Sequence, residues 1–133
     1  MTYSIVARDH QTGHLGVAVA SRFFAAGALV PHIRATSAVA TQAFVNPVWG
    51  LEAAGRIAGG EEPGAVIADL VSRDAGAAQR QIHAIGSTGR PAAHTGASCI
   101  DWAGHVLGAD FSVAGNMLAG PHTATLAPMV ISP

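Results

Sequence analysis

No lysine occurs anywhere in the 133 residues, and charged side chains make up only 11% of them, for a formal net charge of −1. Without a Lys/Arg run or a basic stripe, the chain lacks the electrostatic footprint of phosphate-backbone binding, so nucleic acid is not expected as a partner. A lone cysteine, Cys99, cannot close an intramolecular disulfide, in keeping with a reducing compartment. No apolar run approaches the ~20 residues of a spanning helix. Met1-Thr2-Tyr3-Ser4 has no basic segment followed by an apolar one, as an export signal would. The expectation is a cytoplasmic protein with no membrane partner. Aromatic residues are also scarce, at 5%. The seven histidines (His10, His14, His32, His83, His94, His105 and His122) show no dense ligand spacing, so neither a metal nor another cofactor is expected.

What the chain does have is small apolar residues: half its positions are hydrophobic and 16 are Gly. Its length suits one domain over 1–133, with core enough to fold without staples. Thr2–Arg8 alternates and is β-branched, residues 9–14 carry turn chemistry, and Leu15–Ser21 reads as a second strand, apolar on both faces. A strand of that kind belongs inside a layered structure. After a connection over 22–35 comes a third strand, Ser37–Ala43. Asn46-Pro47 then opens a helix to about Ala58, halted by Gly59-Gly60. Pro63 opens another, with Val66, Ile67, Leu70 and Val71 on one face and Asp69, Ser72 and Arg73 pointing away. Gln81–Ile85 and Arg90–Thr95, around a Gly86-Ser87-Thr88-Gly89 turn, form a second hairpin. Phe111–Leu118 is the last strand, and Gly120–Pro133 has no periodic pattern. Strands, then helices, then strands argue an α+β fold with segregated helices.

Several ordered segments carry more than periodicity. Thr2-Tyr3-Ser4-Ile5-Val6-Ala7-Arg8-Asp9, Gly16–Phe24, Ala40-Thr41-Gln42-Ala43 with Asn46-Pro47, Ala93-His94-Thr95-Gly96 and Gly115-Asn116-Met117-Leu118-Ala119-Gly120 together closely resemble the bacterial family catalogued as domain of unknown function 1028. That family looks like a member of the N-terminal-nucleophile (Ntn) hydrolase superfamily. The resemblance spans about 2–120 and leaves 121–133 as an unmatched tail. It implies a four-layer αββα sandwich of two stacked, mostly antiparallel sheets. Members usually continue further past the Gly-Asn-Met-Leu-Ala-Gly motif, so the second helical layer is expected to be incomplete here and the chain to be a shortened relative. Some relatives look fused to a peptidoglycan-binding domain, which hints at cell-wall peptides. Two positions depart from proteasome-like members: Ala20 stands where they carry an acid, and no Lys is available beside the nucleophile.

In that light Thr2 is the candidate nucleophile. A Thr at the chain start can attack through its hydroxyl while its free α-amine, of pKa about 7.7–8.0, takes the proton. A small second residue permits removal of Met1. The alternative reading is a plain first strand residue with Met1 retained. Ser4, on the same strand face, is a candidate to orient the amine or meet substrate, or else a plain strand serine. Arg22 follows the second strand, where a guanidinium could keep the amine neutral or pair with a substrate carboxylate. Asn46 and Asn116 are candidate oxyanion donors, although Asn46 has a competing role as a helix N-cap. His94 is a candidate substrate contact. The expected activity is hydrolysis of a small amide or peptide through an acyl-Thr2 intermediate; the rival is an inactive binding or assembly domain, or a fragment of a longer hydrolase. Apolar strands lacking a full helical cover also predict a homo-oligomer, with a second copy burying Phe23, Phe24, Trp49 or Trp102.

Overall fold

The computed structural model describes residues 1–125. Two antiparallel four-stranded sheets lie face to face, with helices against one of them. β1 (Thr2–Arg8) and β2 (Leu15–Ser21) form the expected N-terminal hairpin. Its turn is held by Asp9, whose Oδ1 accepts from the N–H groups of Gln11 at 2.8 Å and Thr12 at 3.1 Å. Gly13 completes it at φ 72°, where a side chain is disfavoured. The connection after β2 contains two elements too short to show a period: one helical turn, α1 (Ala26–Leu29), and an edge strand, β3 (Pro31–Arg34).

β4 (Ser37–Ala43) leads to α2 (Pro47–Ala58) and α3 (Pro63–Arg73). α2 starts as the sequence demands: Asn46 Oδ1 accepts from Val48 N–H at 3.1 Å and Pro47 occupies the first turn. Gly60, at φ 101°, turns the chain away after the last turn. β5 (Arg80–Gly86) and β6 (Ala92–Thr95) make the second hairpin, and β7 (Gly104–Leu107) and β8 (Phe111–Asn116) a third. β7 lies between the second hairpin and the last strand, in a stretch where the sequence pattern showed no element. One further turn, α4 (His122–Thr125), begins the tail in which no helix was foreseen; the rest of that tail lies outside the described residues.

The first sheet runs β2-β1-β8-β7 and the second β3-β4-β5-β6. α2 and α3 cover the outer face of the second sheet. There Trp49, Ala53, Ala54, Ile57, Val66, Ile67 and Leu70 pack on Val39, Ile82 and Ala84. Trp49 is therefore core, 4% exposed, and no anchor for a second copy. The layer between the sheets is apolar at one end, where Val6, Val30, Ala38, Ala40 and Ile85 meet flanking Leu15, Val17 and Val19. β2 corrects one expectation. It is an edge strand with only one face packed, and Gly16, Ala18 and Ala20 on the other face are exposed.

Candidate active site

At the other end of that layer the side chains turn polar. Alternation sends Thr2 and Ser4 of β1, Gln42 of β4, Gln81 and His83 of β5, and Ser112 and Asn116 of β8 into the space between the sheets, all of them buried. Strands this buried ordinarily carry apolar side chains on such a face. Polar ones there must find partners, because an unmade buried hydrogen bond costs about 1–3 kcal/mol.

They find them in one connected seam. Gln81 Nε2 shares its two hydrogens among three acceptors, the main-chain carbonyls of Gly104 and Gly115, both at 3.0 Å, and Thr95 Oγ1 at 2.9 Å. Carbonyls only accept, so the amide of Gln81 has one admissible orientation. Its Oε1 consequently receives Gln42 Nε2 at 2.7 Å and Asn116 Nδ2 at 3.3 Å. Gln42 is thereby fixed too, and its Oε1 accepts from Ser4 Oγ at 2.6 Å. With its one proton committed, Ser4 can only accept from His83 Nε2 at 2.8 Å. The histidine is thus the Nε2–H tautomer, with Nδ1 receiving the hydroxyl of Ser112 at 2.9 Å. Burial drives the His83 pKa down to about 3, so this ring is a neutral structural link.

Thr2 stands where the seam reaches the surface. Its register partner on β2 is Ser21, and on β8 it is Asn116. Thr2 Oγ1 lies 2.9 Å from Ser21 Oγ. Ser21 Oγ donates to the Met1 carbonyl at 3.1 Å and accepts from Phe23 N–H at 3.0 Å. Its free lone pair therefore takes the proton of the Thr2 hydroxyl. Thr2 and Ser21 both line a cavity of about 270 Å³, together with Arg22, Phe23, Asn116 and Met117. A neighbouring cavity of about 350 Å³ shares Ala43, Asn116 and Met117 with it. Ala43 at φ 67° and Met117 at φ 52° both hold left-handed backbone that non-glycine residues seldom adopt, and such strain gathers at functional sites. Gly115 is required beside them: a Cβ there would come within 2.4 Å of Leu118 Cδ1 and 3.1 Å of the Thr2 carbonyl.

Of the residues singled out in the sequence, Thr2, Arg22 and Asn116 come together and three do not. Arg22 is exposed at the rim, and its guanidinium makes no hydrogen bond or ion pair among the described residues. Asn116 is inside, where its Nδ2 gives one of its two hydrogens to Gln81 Oε1 at 3.3 Å. Asn46 caps α2, reaches Asp74 Oδ2 at 3.5 Å and lines a different cavity. His94 faces the helices, bonds the Ala77 carbonyl at 3.0 Å and meets Trp49 edge-on, ring centroids 6.4 Å apart. Ser4 is wholly buried in the seam with both its partners in place, so it cannot meet substrate. Ser21 was missed, although hairpin register alone sets it opposite Thr2. The glutamines and His83 were missed too, and their signal was polarity at alternate positions of otherwise apolar strands. Cys99 is a packed thiol whose Sγ contacts the Arg80 carbonyl at 3.4 Å, its pKa raised by burial. Among the described residues no three His, Cys, Asp or Glu converge as metal ligands, and no helix is long and apolar enough to cross a membrane.

These features define an α+β sandwich of two antiparallel sheets, closed by a neutral polar seam that leads to a threonine at the start of a central strand. The chain belongs to the family of unknown function DUF1028, whose sequence profile matches residues 2–130. The match runs past Gly120 into the stretch that was expected to match nothing. It is also similar to the crystal structure of protein SPO2555 from Silicibacter pomeroyi, assigned to DUF1028, at 31% identity and a TM-score of 0.93. That similarity covers 98% of this chain and 62% of the other, so the chain spans somewhat under two-thirds of that relative's length. No curated protein matches.

Proposed function

We propose that this protein is an amide hydrolase of the N-terminal-nucleophile type, acting through an acyl-Thr2 ester on a small amide or peptide, with a cell-wall peptide as one substrate class. The observation that carries the reading is the Thr2 hydroxyl on a cavity wall, 2.9 Å from Ser21 Oγ, at the head of a central strand. Removal of Met1 frees the α-amine as a base and releases the Ser21 proton from the Met1 carbonyl. Ser21 can then donate to Thr2 Oγ1, leaving the threonine's own proton directed at its amine. Attack on the substrate carbonyl carbon forms the Oγ1–C bond. The amine passes its proton to the departing nitrogen as the C–N bond breaks, and water then hydrolyses the ester. Val30, Val45 and Met117 supply an apolar wall for the acyl group, and Arg22 a cation at the mouth. Intact mass is expected to show Met1 absent from the purified protein. Treatment with a p-nitrophenyl ester should leave one acyl group, mapped by peptide sequencing to Thr2. Retained Met1, or label elsewhere, defeats the proposal.

We also propose that copies associate through the loop after β2, where Phe23 is 53% and Phe24 91% exposed. An adjacent aromatic pair left in water at a cavity rim is the kind of surface a second subunit covers. Sedimentation at micromolar concentration should give a dimer or larger for the parent and a lighter species for Phe24→Ser. Identical monomers in both cases exclude this surface.

A further inference from the structure

We infer that Asn116 is a positioning residue whose side-chain oxygen holds the α-amino group of Thr2 once Met1 has been removed. This rests on the reading of Thr2 as an N-terminal nucleophile and adds to it a partner for the amine. Asn116 is 1% exposed, and its Oδ1 is, among the described residues, the one buried side-chain nitrogen or oxygen with no hydrogen-bond partner. In a seam where every other amide is satisfied, that vacancy is specific. Turning the amide over does not fill it. Gln81 is fixed by the Gly104 and Gly115 carbonyls, so a reversed Asn116 would set its oxygen against Gln81 Oε1, acceptor against acceptor. The oxygen is therefore held away from Gln81, in a residue that lines the same cavity as Thr2.

Strand geometry points the amine the same way. Arg22 N–H donates to the Met1 carbonyl at 3.4 Å, so that carbonyl faces β2. Main-chain polar groups alternate in direction along a strand, and a residue's own N–H and C=O share one side. The nitrogen of Thr2 thus faces β8, where Asn116 is its register partner. While Met1 is attached, this nitrogen is an amide with one hydrogen. When Met1 leaves it gains further N–H bonds, and the one buried side-chain acceptor without a donor among the described residues is Asn116 Oδ1, on its register partner. An N–H fixed there orients the nitrogen, and its lone pair in the neutral form, relative to Thr2 Oγ1. The carboxamide oxygen thus serves the base.

The test is the titration of the Thr2 amine in Met1-free protein labelled with ¹⁵N-threonine, followed by NMR. Asn116→Asp places a carboxylate where the amide oxygen stood, and an opposite charge at that range raises the amine pKa by roughly one unit or more. The acid limb of any pH–rate profile should move up with it. Asn46→Asp, in the other cavity, should leave both unchanged. An unshifted amine in a cooperatively melting Asn116→Asp protein overturns the inference. Should that variant not fold, a crystal structure of the Met1-free parent decides: the amine nitrogen within about 2.7–3.2 Å of Oδ1 supports it, and an amine turned away from Oδ1 overturns it. A shifted amine pKa on a Thr2 that takes no acyl label would refute the nucleophile and leave the Asn116 contact standing.

Discussion

Thr2→Ala is expected to cut release of p-nitrophenol from an acylating ester by a factor on the order of 10⁴, the scale on which nucleophile deletions act in enzymes with a covalent intermediate. The same change should barely disturb the fold. Thr2 contributes a single side-chain hydrogen bond, to Ser21, and an ordinary bond of that kind is worth about 1 kcal/mol. Loss of rate without loss of melting temperature separates chemistry from structure. Thr2→Ser keeps the hydroxyl and should keep a measurable rate. One extra residue ahead of Thr2 should be as damaging as Ala, because the nitrogen of Thr2 becomes an amide again and can no longer act as a base. A Thr2→Ala protein as active as its parent would end the mechanism.

The second large effect is sensitivity to mild acid. His83 is neutral in the native state, its pKa held down at about 3 by burial first and by the neighbouring His105 second. In the unfolded chain a histidine protonates near 6.5. Between those values the unfolded state binds the extra proton, so stability is fully present above ~6.5 and is lost as pH falls. The slope for one group is about 1.4 kcal/mol per pH unit, steep against a total stability of roughly 5–15 kcal/mol. His105, whose pKa is also lowered by burial, acts with the same sign. Carboxylates titrate lower, so the interval from about pH 5 to 6.5 isolates the histidines. Urea unfolding across it should give a falling free energy for the parent and a flatter line for His83→Gln. Parallel lines would mean that the ring is charged in the native state.

Much of the frame was legible because local rules agreed with the tertiary answer. The Asn46-Pro47 start, the Gly59-Gly60 stop and the Val66/Ile67/Leu70 face set α2 and α3, and alternation set the first two hairpins. β3 and β7 are four-residue edge strands, too short to display a period. The equally short edge strand β6 was legible through the Gly86-Ser87-Thr88-Gly89 turn that ties it to β5. Candidate residues fared unevenly for a related reason. A motif gives a residue type at a position, whereas a role depends on which side of its element the side chain leaves and what already occupies its polar atoms. Asn46 was spent on a cap and His94 on the Ala77 carbonyl. Thr2 and Asn116 were brought together by the β1–β8 pairing, a contact between chain ends that no local pattern announces.

The polar seam also bears on how the chain avoids folding wrongly. β1 sends Thr2, Ser4 and Val6 inward and Tyr3, Ile5 and Ala7 outward, so hydrophobic burial alone does not favour the native frame over its mirror. A slip of one residue exchanges the two faces. Ile5 would then arrive between the sheets in place of Ser4, leaving Gln42 Oε1 and the His83 N–H buried with nothing to bond. The misregistered sandwich would bury as much oil as the correct one and fail on two unmatched polar atoms. A handful of hydroxyls and amides thereby act as a reading-frame check on the strand that carries Thr2.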